Sequence, residues 1–427
     1  MPGHDITLKV GFVSVWKVLA TVLSFIFTFV VANFLGSAGY GTYTICIGVA
    51  ELSFMIFLGF DDAITKFLAE KRLRKTLNKL LLAEVIIGVV GFVVLFTAAD
   101  AISVWFGKPI SLYLKVISFS LLLRPFYSVF RGVFLGFKKM RFFVASEFSL
   151  ETSKLIITAS LIFIGLGVLG GIVGYVLSFL VASVISYFML RRLAFAEGGH
   201  KYRKLMGYST KSTLFYIIRN INAQMVIIVP GLLLSSSSMG NFSLAYKLAV
   251  FAMGIIPVSL SQVLFPYFSG ARKKRLERLF KISISTSLIL SLPLLVVFIL
   301  LARPFLNIMF PGYGEAAELI PVLGLAATFD IIGTLVLSLV KAKEKFGIGV
   351  KGLLTYTLVF SISSLMLIPS YGALGAAFSL LLSSIATGTV LMLLAKREYG
   401  TGFAFKESIY YMTGKLKLLS SLSRLLR

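Results

Sequence analysis

Twelve apolar runs, each about as long as a bilayer core is thick, recur along this 427-residue chain, and nothing else limits its fold as strongly. They cover residues 12–35, 41–60, 80–98, 111–134, 146–165, 169–190, 212–234, 241–265, 282–301, 316–340, 349–368 and 373–394. Inside hydrocarbon every backbone N–H and C=O must find a partner within the protein, so continuous apolar runs of this length must be helices. A membrane barrel would instead alternate apolar and polar residues. The chain is 58% hydrophobic, against about 45–50% for a soluble domain. The fold class expected is therefore an all-α polytopic membrane protein of about twelve transmembrane helices.

The formal charge is +25. Such an excess would suit nucleic acid, but here the basic residues lie between greasy spans, and no nucleic-acid partner is expected. Their placement carries more information than their number. Lys66, Lys71, Arg72, Arg74, Lys75 and Lys79 follow span two, and Lys138, Lys139 and Arg141 follow span four. Arg191, Arg192, Lys201, Arg203, Lys204 and Lys211 follow span six, and the loops after spans eight and ten are basic again. The opposite loops offer Lys108 and Arg303. Loops rich in Lys and Arg stay on the cytoplasmic side. Both termini should be cytoplasmic, and the expected location is the cytoplasmic (plasma) membrane, crossed many times. No cleavable signal peptide is expected, because the first run is too long and lacks a small-residue cleavage site. Cys46 is the single cysteine and His4 and His200 the two histidines, so neither an internal disulfide nor a His-rich metal site is expected.

The chain reads as one six-helix unit written twice. Gly41-Thr-Tyr-Thr-Ile-Cys46 matches Gly240-Asn-Phe-Ser-Leu-Ala245, each between two apolar runs. Gly167-Val-Leu-Gly-Gly-Ile172 matches Gly372-Ala-Leu-Gly-Ala-Ala377 at the turn between the last two spans of each half. Six spans per repeat give halves of parallel topology, related by a pseudo-twofold axis along the membrane normal. The expected division is an N-terminal lobe 1–195, a cytoplasmic linker 196–210, a C-terminal lobe 211–398 and a basic amphipathic tail 399–427 suited to the anionic inner leaflet.

The first hairpin carries a resemblance. Leu35-Gly36, three residues, then Tyr40-Gly41-Thr42-Tyr43 resembles the first hairpin of the polysaccharide-transporter and O-antigen flippase family. That family shares a superfamily with the multidrug and toxic-compound exporters and the lipid II flippases. Family members often carry Arg before Leu-Leu-Gly and acids before Tyr-Gly; this chain has Asn33 and Ser37-Ala38-Gly39 there.

Ionisable residues deep in a membrane are costly and so are functional candidates. Counting along the spans puts Glu51, Arg124 and Asp330 near the midplane, with Lys17 and Arg219 nearer one end and Lys247 nearer the other. Anchoring the repeats sets Arg124 and Asp330 at nearly equivalent places, as polar residues internal to each lobe. Glu84, Glu147, Glu151 and Lys154 lie near helix ends, as snorkelling residues or local pairs. Arg219 is followed by Asn220, Asn222 and Gln224, four polar groups in one span. The resemblance implies that spans one, two, seven and eight border the substrate cleft. Residues three apart share a helix face, so Tyr216, Arg219 and Asn222 are the expected cleft-lining stripe, joined by Lys17 and Lys247. Glu51 is the candidate for coupling or charge balance.

No constellation of catalytic residues and no Walker A motif occurs, so neither an enzyme nor an ATP motor is expected. No cofactor is expected, although coupling to Na⁺ or protons is open. The function implied by the resemblance is flipping of a polyprenyl-linked oligosaccharide between leaflets, with membrane lipids and glycosyltransferases of the same pathway as partners. A cation-coupled multidrug exporter is the first alternative; it should carry an acid in the first span, where this chain has Lys17. A non-transporting membrane component of glycan assembly is the second.

Overall fold

The structure is a computed structural model and describes residues 2–70, 74–198, 202–270, 273–343 and 345–400. Every major element is a helix. They are α1 (Pro2–Phe54), α2 (Leu58–Glu70), α3 (Arg74–Phe106), α4 (Ser111–Ser118), α5 (Ser120–Gly136), α6 (Met140–Leu161), α7 (Gly167–Leu190), α8 (Tyr202–Leu233), α9 (Ser236–Gly270), α10 (Lys273–Met309), α11 (Gly314–Ala342) and α12 (Phe346–Tyr399). The fold class expected from the sequence is the one observed. The amphipathic tail expected over 399–427 lies, beyond Gly400, outside the described residues.

Helices and spans do not coincide one to one. Among the described residues, seven helical stretches are long and apolar enough to cross a bilayer. Three helical runs, α1 of 53 residues, Met140–Leu190 of 51 and α12 of 54, are too long for one crossing. α1 turns at Gly36, which adopts φ 65° and ψ 177°. α6 passes through a π-helical turn, Ile162–Leu166, into α7, with Gly165 at φ 96° and Gly167 at φ 51° and ψ −132°. α12 turns at Gly372, with φ 57° and ψ −133°. A side chain is strained at such angles, and glycine is not. Reading each elbow as a return of the chain, with α2 continuing the second arm of α1 and α4 running into α5, restores the twelve crossings read from the sequence. Gly167 and Gly372 are the paired positions of the proposed repeat, and their backbones agree within 6° in φ and 1° in ψ.

The chain packs as two compact units, 1–240 and 241–427. α8 packs on α1 and α2 within the first unit, so packing divides the chain after Gly240, whereas the sequence repeat would divide it at 196–210. In the first unit, Phe60, Phe67, Leu80, Phe130 and Phe134 form a core at the end of the bundle opposite the glycine elbows. In the second, Phe268, Phe280, Ile331, Leu335 and Leu391 do the same. Meanwhile Ile86, Val89, Val90, Val93 and Val94 line an exposed stripe along α3. In water that stripe would be a liability; against lipid tails it is the expected outer face of a spanning helix.

Small residues let the paired helices approach closely. A Cβ added at Gly174 would lie 2.3 Å from Thr158 Oγ1, locking α7 against α6. The closest approach involves the two hairpin glycines. A Cβ at Gly41 would lie 1.9 Å from Ser236 O, and a Cβ at Gly240 would lie 1.9 Å from Ser37 O. The Ser37 and Ser237 hydroxyls meet at 2.8 Å beside them. The two hairpins thus meet reciprocally through Ser37 and Gly41 on one side and Ser236, Ser237 and Gly240 on the other, all of them residues of the first unit.

Charges pair within and between helices, and Glu151 and Lys154, expected near a helix end, lie in the middle of α6. Lys115 meets Asp100 at 2.8 Å, Lys154 meets Glu151 at 2.7 Å, and Arg131 meets Glu147 at 2.5 Å. Tyr127 also donates to Glu147 at 3.1 Å. In the turn before α4, Lys108 Nζ donates to Gly231 O at 2.6 Å and to Phe106 O at 3.3 Å. It therefore serves a last-turn carbonyl of α8, a group that a helix end leaves without an intrahelical donor. Partial burial lowers the pKa of Lys108 from the usual lysine value.

Candidate functional site

The first unit places Glu51, on the second arm of α1, beside Arg124 on α5. Arg124 Nη1 donates to Glu51 Oε2 at 3.4 Å, and Tyr175 on α7 donates its hydroxyl to Glu51 Oε1 at 2.7 Å. Pro125 follows Arg124 within α5; lacking an N–H, it removes one backbone hydrogen bond from that helix. The Arg124 guanidinium carbon sits 3.8 Å from the centroid of the Phe54 ring and 5.9 Å from that of Phe179. Phe179 in turn meets Phe54, Tyr127 and Tyr175 edge-on at 5.9, 5.9 and 5.3 Å. An aromatic base under a guanidinium holds it by cation–π attraction without consuming its N–H donors.

Those donors border a cavity of about 70 Å³ lined by Glu51, Phe54, Met55, Arg124, Asn220 and Gln224. The side chains of Arg124 and Glu51 retain 18% and 36% of their exposure, so the pair is half-sunk rather than sealed. At roughly 10–15 Å³ per water, the space admits several waters or one compact polar group. Its wall combines a cation, an anion, two amides and apolar surface. Such a wall can bind an anion and hydrogen-bond to hydroxyls.

The other residues singled out in the sequence are placed as follows. Asn222, on α8, is buried. The α8 residues that reach the cavity are Asn220 and Gln224, four apart and so on one face. Tyr216 and Arg219 belong to α8 and Lys17 to α1, but their side chains lie outside the described residues. Lys247 is half-buried on α9, in the second unit. Asp330, on α11 in the second unit, keeps an accessible side chain but is set among protein groups, near Ser384 and within electrostatic reach of Tyr246 and Tyr356. Among the described residues no group of His, Cys, Asp and Glu gathers to hold a metal ion.

Tyr175, Phe54 and Phe179 did not stand out in the sequence. Their roles depend on partners far away in the chain: Glu51 and Tyr175 are 124 residues apart, and Glu51 and Arg124 are 73. Helical periodicity does not reach across such gaps.

Fold and site together define a polytopic helical membrane protein with a charged, partly open cavity inside a helix bundle. Residues 6–272 match the family described as polysaccharide biosynthesis protein, and the chain belongs to that family. None of the curated protein sequences matches it. Among solved structures it is similar to the lipid II flippase MurJ in an inward closed conformation, with a TM-score of 0.79 and 15% identity, covering 97% of this chain and 91% of that one. It is similar to an inward-facing multidrug-resistance MATE transporter of the MOP superfamily, with a TM-score of 0.77, 13% identity and coverage of 89% and 94%. The MATE multidrug transporter DinF-BH aligns at a TM-score of 0.62 and 19% identity, covering 89% of this chain and 91% of that one.

Proposed function

We propose that this protein flips a polyprenyl-(pyro)phosphate-linked oligosaccharide from the inner to the outer leaflet of the cytoplasmic membrane by alternating access, without catalysing a covalent step. The observation that carries this reading is the cavity wall. A guanidinium suits a phosphate oxygen pair, and Asn220 and Gln224 supply the amide donors and acceptors that sugar hydroxyls use. Membership of the polysaccharide biosynthesis family supports the sugar class. Lys17, Arg219 and Lys247 add positive charge on spans one, seven and eight, with Tyr216 and Asn222 beside Arg219; Asp330 serves as an internal polar residue of the second lobe. Glu51 is the coupling or charge-balancing acid, with Na⁺ or protons as the driving ion. The working halves are the repeat lobes 1–195 and 211–398, with 196–210 as linker and 399–427 as a tail on the inner leaflet. Glycosyltransferases of the same pathway would supply the substrate.

The direct test is transport of a fluorescent lipid-linked oligosaccharide in proteoliposomes; absence of flipping by purified, folded protein under an ion gradient rejects the proposal. In that assay Arg219→Ala should abolish flipping with normal expression, while Arg219→Lys retains part of it, because charge survives and the two-pronged fork is lost. Parental transport by Arg219→Ala would remove Arg219 from the anion site and leave the task to Arg124 or Lys17. Orientation is checked separately. Reporter fusions at Arg192, Arg272 and the C-terminus should read cytoplasm, and fusions at Lys108 and Tyr313 should read outside. An outside reading at Arg192 would break both the topology and the two-lobe division.

A further inference from the structure

Arg124 and Glu51 form an unusually incomplete ion pair. A guanidinium carries five N–H donors, and charge-assisted bonds to carboxylate run to about 2.7–2.9 Å, often in parallel pairs. Among the described residues the polar contact of Arg124 is one N–H to one oxygen at 3.4 Å. The guanidinium is nevertheless fixed, because Phe54 supports it from beneath at 3.8 Å. Glu51 is fixed as well, by Tyr175 at 2.7 Å on its other oxygen. Each partner is therefore held in place by something other than its opposite charge. The space beside them is lined by both, together with Asn220 and Gln224. The arrangement is a positioned cation with donors to spare, a cavity in front of it, and a weakly engaged anion at the cavity's edge.

We propose that Arg124 is a docking point for a phosphate or pyrophosphate ester, and that Glu51 is its built-in competitor. An entering phosphate oxygen pair makes the parallel contacts that Glu51 does not, and takes the guanidinium. Glu51 stays on Tyr175, a few ångströms away, as a like charge facing the bound anion. It thereby lowers the affinity of the site and reclaims Arg124 when the anion leaves. A carrier needs this property: a site that grips a pyrophosphate fully would hold it and not release it. The inference rests on the flippase reading for its substrate class, but its binding test does not depend on transport.

The experiment measures binding of inorganic pyrophosphate, and of a polyprenyl pyrophosphate against the matching polyprenol, to the full chain in nanodiscs by calorimetry. The parent should bind pyrophosphate, Arg124→Ala should weaken binding at least tenfold, and Arg124→Lys should lie between them. Glu51→Gln should tighten binding several-fold, since the amide keeps the shape and the Tyr175 contact but not the charge, while slowing flipping. A purely structural ion pair predicts the opposite for Glu51→Gln, no gain in affinity. Equal binding by parent and Arg124→Ala, or binding by Glu51→Gln that is unchanged or weaker, overturns the proposal. If Arg124→Ala does not fold, Glu51→Gln and Arg124→Lys decide it alone. Displacement of pyrophosphate by the polyprenyl pyrophosphate and not by the polyprenol assigns the site to the lipid head group; failure of both to displace it overturns that assignment. Pyrophosphate binding with these signatures but no flipping counts against the transport reading and leaves the site standing. Flipping with no Arg124-dependent binding does the reverse.

Discussion

Gly41→Ala is expected to force apart the two copies of the repeated hairpin and to cripple transport. The added methyl would stand 1.9 Å from the carbonyl oxygen of Ser236 and 2.7 Å from the backbone nitrogen of Gly240. Both are backbone atoms, so no side chain can swing away, and the helices must separate by about an ångström or more, since carbon contacts are at their best near 3.5–4.0 Å. Overpacking of this kind typically costs about 1–3 kcal/mol. Gly240→Ala should act the same way, because its methyl would stand 1.9 Å from Ser37 O. The Ser37–Ser237 contact at 2.8 Å gives a direct readout. In a Cys46→Ala background, Ser37→Cys combined with Ser237→Cys should give a disulfide readily under mild oxidant. Adding Gly41→Ala should slow that reaction at least tenfold and reduce flipping in parallel. Undiminished crosslinking would show that the seam tolerates the methyl and that its tightness has no bearing on function.

Gly372→Val should destabilise the fold more than any conservative change in the surrounding apolar surface. At φ 57° and ψ −133° the backbone is in territory that a β-branched residue does not enter without strain, and no neighbour within 4 Å offers a compensating contact. Strain of this type costs on the order of 1–3 kcal/mol. Gly167, at φ 51° and ψ −132°, should be equally intolerant. The two elbows belong to different compact units, so the losses should add to within about 0.5 kcal/mol. Thermal unfolding in detergent or lipid, followed by loss of monodispersity, measures both. A melting temperature unchanged in Gly372→Val would mean that the elbow relaxes to another turn and that its geometry is not required.

These two positions also indicate what the sequence makes legible. The repeat could be read because it is punctuated by residues whose job has no substitute: an elbow at positive φ, or a backbone crossing with no room for Cβ. Hydropathy gave the crossings correctly because lipid sets the length of a span. It did not give the helices, since a return needs as little as one glycine, and α1, α6 with α7, and α12 run nearly unbroken through their turns. The candidate site was half visible. Glu51 and Arg124 stood out singly, as charges too deep to be idle, but their pairing at 3.4 Å depends on how α1 and α5 meet. The polar run on α8 drew attention to that helix through Tyr216, Arg219 and Asn222, whereas the residues it offers to the cavity, Asn220 and Gln224, emerge only once α8 is packed. Phe54 and Phe179 looked like ordinary membrane-helix residues, and only their rings' placement around the guanidinium distinguishes them.

The glycine elbows bear on how the chain is made. A return formed at one or a few residues, with no charged loop to carry across, leaves little polar mass on the far side of the bilayer. Two arms joined so tightly satisfy each other's backbone approach as soon as both have emerged, as Gly174 against Thr158 does between α6 and α7. Such arms should enter the membrane as a pre-formed hairpin rather than one after the other. The synthesising ribosome would then deliver fewer insertion units than there are crossings. A bulky residue at Gly36, Gly167 or Gly372 would act first on biogenesis, leaving an arm stranded at the membrane surface, before any substrate is encountered.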